Sequence, residues 1–222
     1  MQNGEFVLVY DADGREQETD LTIASQFATT EALGTLRRDG GGLVCTTVDP
    51  TTRRLLGMPY LTDILSSEGK DYPLLNELIP NDIPYDTKSS FAITINHRKT
   101  FTGITDSDRA LTIKSFTEYM MENQSERVED VQKGFGELFR APGHVFMLNA
   151  NDGLCNERQG HTELCTALMV MAGLFPSATI CEMMANTGRA RTKEAAAEYA
   201  EEKGLVFLSG ADIVEAWKKW SE

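Results

Sequence analysis

Residues 158–163 read Arg-Gln-Gly-His-Thr-Glu, a polar hexapeptide followed at once by the apolar run 164–171. That order reads as a turn opening a helix. Gly160 or Thr162 can cap it, and Glu163 falls in the first turn, where the helix dipole favours an acid. Free backbone N–H groups at a helix start, with Arg158 before them and a threonine hydroxyl beside them, make a cradle for a phosphate. A histidine in the same turn, His161, can hold a metal or move a proton next to that phosphate. Taken alone, the hexapeptide is better explained as an ordinary capped helix with a surface Arg and His, because short motifs often match by chance. Three other stretches shift that balance.

Residues 11–20 place five acids and Arg15 in ten positions, just after the apolar run 6–10. A charge run is as readily a solvated loop, but a dense acidic loop at a strand end is also where hard cations such as Mg²⁺ find carboxylates. Arg15 there can pair with a substrate or keep the acids from repelling one another. His144 follows Pro142 and Gly143 at the mouth of a strand, and Glu182 follows the apolar stretch 178–181. Strand ends are where the site groups of open α/β sheets gather. Thr105 lies in the hydroxyl-rich turn 102–109; by itself it reads as a cap for a helix beginning near Ala110, with an oxyanion site as the alternative.

The elements that must position these groups follow from periodicity and breakers. Strands are expected at 6–10, 21–24, 43–48, 91–95, 145–148, 178–181 and 205–208, and helices at 30–38, from about 110, at 128–138, 164–174, 192–203 and 213–220. Prolines at 73, 80 and 84 leave 59–84 to loops and short helices. Strands alternating with helices, some close enough for antiparallel pairing, give an α/β (α+β) fold: a mixed twisted sheet covered by helices on both faces, in three layers, as one domain over 1–222.

The chain has 222 residues and a net charge of -13, which argues against a general nucleic-acid surface and leaves any anionic substrate to a few local cations. Cys45, Cys155, Cys165 and Cys181 show no CxxC spacing and read as reduced thiols of a cytoplasmic protein. The run 164–181 carries no charge, but Gly173 and Pro176 interrupt it, so a helix, a turn and a buried strand are expected in place of a membrane span. No secretory signal is expected at the start, where Glu5 and Asp11 flank only a short apolar run.

The segments 11–20, 42–45, 101–105, 108–110, 140–144, 158–163 and 180–182, in this order along nearly the whole chain, resemble 3,4-dihydroxy-2-butanone 4-phosphate synthase, most closely its monofunctional archaeal members. The resemblance implies a lyase of riboflavin biosynthesis that turns ribulose 5-phosphate into the four-carbon phosphate and formate, works with Mg²⁺ or Mn²⁺, holds two ions with substrate bound, and forms a homodimer. By position it implies metal ligands at Glu16 and His161 and essential proton-handling residues at His144 and Glu182. It implies substrate contacts at Arg15, Glu16, Asp20, Thr105, Arg158, Gln159, Gly160, His161 and Thr162. Glu18, Cys45 and Asp108 fall near the family's site. Gly14 and Thr19 depart from the bacterial pattern of an acid and a glycine, and only five residues precede the first strand.

Two other classes remain open from the residues. A different metal-dependent sugar-phosphate isomerase or aldolase would use the same phosphate grip and release no formate. A nucleotide- or RNA-binding module would need a broad basic surface, which a net charge of -13 does not supply.

Overall fold

Leu8 and Val9, neighbours on the first strand, are both fully buried, in different cores. Successive side chains of a strand point to opposite faces, so a strand apolar at every position belongs to a sheet covered on both sides. The computed structural model describes residues 1–221. Its strands are β1 (Val7–Tyr10), β2 (Thr19–Ala24), β3 (Cys45–Val48), β4 (Phe91–His97), β5 (Phe139–Asn149), β6 (Ala178–Glu182) and β7 (Val206–Ser209). Its helices are α1 (Thr30–Thr35), α2 (Pro50–Leu56), α3 (Leu61–Ser67), α4 (Leu74–Glu77), α5 (Asp106–Glu122), α6 (Val128–Leu138), α7 (His161–Met171), α8 (Lys193–Lys203) and α9 (Gly210–Trp220).

The strands form one mixed sheet in the order β4-β5-β3-β6-β2-β1-β7. The β3–β5 and β1–β7 pairs are parallel and the others antiparallel. One face packs Leu8, Leu21, Val145 and Met147 against α1, α5, α6 and α8 through Leu33, Ile113, Phe116, Met120, Val131 and Ala196. The other packs Val7, Val9 and Ile180 against α7 and α9 through Leu164, Met169, Ile213 and Trp217. This is the expected three-layer α/β arrangement. Leu164 and Met169 are fully buried; truncating either to Ala would cost about 2–5 kcal/mol.

Helix α7 is apolar because it lies between the sheet and α9, and among the described residues no helix is long and apolar enough to cross a membrane. Local signals account for several boundaries. Thr192 caps α8 through the Ala195 N–H, Gly204 closes it, and Ser209 with Asp212 forms a capping box at α9.

Other boundaries move. Helix α5 starts at Asp106, four residues before the expected Ala110, because the Thr105 hydroxyl accepts the Asp108 N–H. Strand β2 starts at Thr19, since Tyr10 and Thr19 pair across the hairpin; the acidic loop is thus shorter than 11–20 and Asp20 is a buried strand residue. Strand β4 runs on to His97, so His97 is buried and only Arg98 and Lys99 of the expected basic cluster face solvent. The helix expected over 30–38 is α only to Thr35 and widens into a π turn at Leu36–Gly40.

Candidate active site

At one end of the sheet, β1 runs out at Tyr10, β2 enters at Thr19, β6 ends at Glu182 and α7 begins at His161. Between them lies a cleft of about 300 Å³ lined by Arg15, Glu16, Glu18, Asp20, Cys45, Asp86, Arg158, His161, Thr162 and Glu182.

Asp11 shapes the acidic loop. Its buried carboxylate accepts the N–H groups of Glu16 at 2.9 Å and Glu18 at 3.2 Å, and lies 3.4 Å from Arg15 Nη1. The chain turns through Gln17 at φ 59, a left-handed conformation that costs a non-glycine residue about 1 kcal/mol or more. The two N–H bonds to Asp11, on either side of Gln17, hold that turn and aim Arg15 and Glu16 into the cleft.

His161 is buried between two carboxylates, with Nδ1 3.1 Å from Glu16 Oε2 and Nε2 3.7 Å from Asp20 Oδ1. Among the described residues, His161 Nε2 and Asp20 Oδ1 are buried without a hydrogen-bond partner. Donor atoms of Asp11, Glu16 and His161 lie within 4.8 Å of one another. The Asp11 oxygens already take backbone N–H groups, whereas Glu16, which also lies 3.1 Å from Arg15 Nη1, and His161 are the two donors of the set that line the cleft. Protonation reports the same shortage of positive charge. Burial opposes a charged His161, but Asp20, Glu16 and Asp11 outweigh it and push the imidazole up to about 9. Burial lifts Asp20 to about 8 despite the facing His161, with Glu182, Glu16 and Glu18 adding to the rise. A divalent cation would replace those protons, and the Glu16 carboxylate is the oxygen donor that Mg²⁺ or Mn²⁺ favours, with the His161 imidazole as a nitrogen ligand beside it.

The other half of the cleft is built on α7. Gly160 is its N-cap, and no side chain among the described residues caps it, so the first N–H groups stay open toward the cleft. Arg158 lies beside this helix start, held by the fully buried Glu163, whose carboxylate also accepts the Asn151 N–H at 3.1 Å. Arg15 reaches the same place from the acidic loop, and Asp86 lies between the two guanidinium groups. Burial disfavours charge on Glu163, but Arg158 and the Asn151 N–H oppose that rise.

Glu182 faces the cleft from the end of β6, opposite Asp20. Its Oε2 accepts the Leu43 N–H at 2.7 Å and its carbonyl accepts the Gly42 N–H at 3.0 Å. A Cβ at position 42 would run into the Glu182 backbone, so glycine there is what lets the 40–44 turn bind this carboxylate.

Nine of the expected site residues, counting Glu18 and Cys45, thus meet in one cleft, with Gly160 close against the guanidinium groups of Arg158 and Arg15, and four stand outside its lining. Gln159 is exposed. Thr105 is spent on its cap, and Asp108 accepts the Gly103 N–H at 2.8 Å. His144 is exposed on β5, two residues before Phe146, which pairs with Cys45; it is therefore at the Glu182 end of the sheet, with the entry to β3 between them. Three residues were missed as site builders. Asp11 was legible as the first acid after a strand, and Glu163 as an acid five residues from Arg158, whereas Asp86 carries no sequence signal.

The family model of 3,4-dihydroxy-2-butanone 4-phosphate synthase matches residues 1–216. The proteins of that name from Methanothermobacter thermautotrophicus and Archaeoglobus fulgidus are 48% and 45% identical, with 99% and 100% of this chain and 93% and 92% of theirs aligned. A solved structure of a 3,4-dihydroxy-2-butanone 4-phosphate synthase in complex with two magnesium ions superposes with a TM-score of 0.73 at 28% identity, over 98% of this chain and 93% of that one.

Proposed function

We propose that this chain, which belongs to the 3,4-dihydroxy-2-butanone 4-phosphate synthase family, converts D-ribulose 5-phosphate into L-3,4-dihydroxy-2-butanone 4-phosphate and formate. The observation that carries the reading is the meeting, in one cleft, of a cation-short carboxylate–imidazole pair, Glu16 and His161, with an arginine pair, Arg15 and Arg158, at an open helix start. One end of a sugar phosphate needs the second and its reacting oxygens need the first.

The phosphate docks on Arg158, Arg15 and the first N–H groups of α7, with the Thr162 hydroxyl beside them. Its sugar chain then runs toward Glu16, Asp20 and Glu182. Mg²⁺ or Mn²⁺ held by Glu16 and His161 supplies Lewis-acid stabilisation of negative charge on adjacent substrate oxygens. The reaction takes a proton from the carbon next to the carbonyl, loses water, rearranges the skeleton and releases one carbon as formate. Glu182, anchored by the Leu43 N–H, and His144, at the same sheet end, are the groups read as moving those protons. Asp20 and Glu18 set the charge around them.

The protein is read as a cytoplasmic homodimer. Phe101 and Ile104, 95% and 53% exposed, lie in the turn just before α5, and an exposed apolar pair of this kind suits cover by a second copy.

Formate release from ribulose 5-phosphate, with Mg²⁺ and with excess EDTA, tests the reading. Formate that requires the metal and is lost in His161→Ala supports it. Substrate consumed without formate would point to the isomerase or aldolase class.

A further inference from the structure

Strands β4 and β5 pair Ile95 with Val145 and Asn96 with Arg140. One step along β4 therefore spans five residues of β5, and residues 141–144 bulge out of the ladder. Bulges re-aim side chains, and they leave backbone donors to be satisfied elsewhere. Here two side chains of β4 do so: the Gly143 N–H donates to Thr94 Oγ1 at 3.0 Å and the His144 N–H to Asn96 Oδ1 at 2.8 Å. A Cβ at position 143 would overlap the backbone of Ile95 and Asn96, so only glycine lets the bulge lie this close.

Asn96 is 3% exposed, and its side chain does more than hold the bulge. Its Nδ2 lies 3.2 Å from Thr102 O and 3.2 Å from His144 Nδ1. Two backbone groups fix which end of the amide is which. The His144 N–H can only donate and must meet the oxygen; the Thr102 carbonyl can only accept and must meet the NH₂. The group facing the imidazole is therefore a donor, and His144 Nδ1 must offer it a lone pair. A neutral ring with a lone pair on Nδ1 carries its proton on Nε2.

We propose that Asn96 is a positioning residue that holds neutral His144 as the Nε2–H tautomer, so that the ring presents a proton donor, not a basic nitrogen, at the sheet end shared with Glu182. The inference rests on the reading of His144 as a proton-moving residue, and it divides the labour: His144 donates to a substrate oxygen and the Glu182 carboxylate takes the proton from carbon. Asn96 itself does not reach the cleft.

Nitrogen NMR of protein labelled with ¹⁵N-histidine tests this, with His144→Gln identifying the signal of His144 among the three histidines. With the ring neutral, His144 is expected wholly as Nε2–H. In Asn96→Asp the carboxylate accepts from Nδ1–H and the tautomer inverts, while in Asn96→Ala it relaxes to the mixture of a free imidazole. The kcat of Asn96→Asp then falls by on the order of 10²-fold, as expected when a general acid is disarmed, with KM little changed. Nδ1–H in the wild type, or Nε2–H retained in Asn96→Asp, overturns the proposal. Should both variants fail to fold, a scalar coupling between Asn96 Nδ2 and His144 Nδ1 across their hydrogen bond in the wild type supports it and its absence overturns it. Full activity of His144→Gln would withdraw the catalytic reading and leave the tautomer result standing.

Discussion

The carboxylate of Asp86 sits between the guanidinium groups of Arg15 and Arg158, its Oδ2 2.7 Å from Arg15 Nη2 and 2.6 Å from Arg158 Nη2. Burial raises its pKa, but the arginines overcome this and hold it below the usual carboxylate range. An anion already occupies the pair on which the proposed substrate phosphate would dock, so on that reading phosphate must displace it. Asp86→Asn is therefore expected to tighten inorganic phosphate binding by about fivefold, the equivalent of about 1 kcal/mol for a partly exposed ion pair, and to lower KM in step. Calorimetric titration with phosphate checks it; unchanged affinity would show that Asp86 does not compete.

Glu163 acts on the same arginine from below. Its side chain is fully buried, pairs with Arg158 and accepts the Asn151 N–H. Glu163→Ala leaves a largely buried guanidinium with Asp86 alone and orphans a backbone donor, so a loss of about 3 kcal/mol is expected. Glu163→Gln keeps an acceptor for Asn151 and costs less. Urea unfolding midpoints at constant slope measure both; a loss below about 1 kcal/mol in the alanine variant would refute the role.

What could be read beforehand, and what could not, follows from how local each signal is. His161, Glu16 and Glu182 stand next to strand or helix ends that hydrophobic periodicity marks, so their meeting at one sheet end was legible. Asp86 is 72 residues from Arg158 in a stretch without periodicity, and only the tertiary fold puts it there. Thr105 shows a different limit: one hydroxyl before a helix serves equally as cap or oxyanion ligand, and here the Asp108 N–H has it. Pro142 and Gly143 should break a strand, yet β5 passes through them because the side chains of Thr94 and Asn96 replace the lost ladder bonds.

The thiols are expected to be inert. Cys45 borders the cleft, but burial, then the carboxylates of Glu182 and Asp20, raise its thiol well above the ordinary value. Burial likewise pushes Cys155 and Cys181 up to about 12 and raises Cys165 further. The thiolate is the reactive form. Disulfide-reagent titration at pH 8 should therefore count none of the four cysteines in the native protein and all four after unfolding. A thiol that reacts rapidly in the native state would contradict this.

Metal binding and pH act on the same two groups, His161 and Asp20. Against burial, the facing carboxylates push His161 from 6.5 up to about 9, and burial pushes Asp20 from 3.8 up to about 8. Both groups hold more protons folded than unfolded over this range, so the stability they contribute is present at low pH and is lost as pH climbs through those folded values. Metal binding works in the opposite direction, because an ion must displace the same protons. Mg²⁺ should therefore release protons on binding at pH 7, and its affinity should rise with pH up to about 9. The gain in Tm on adding Mg²⁺ to EDTA-treated protein should then widen steadily from pH 6 to pH 9. Melting curves at four pH values, with and without the ion, decide it. A gain that stays flat or shrinks with pH would mean that His161 and Asp20 do not surrender their protons to the metal, and that the ion is held elsewhere.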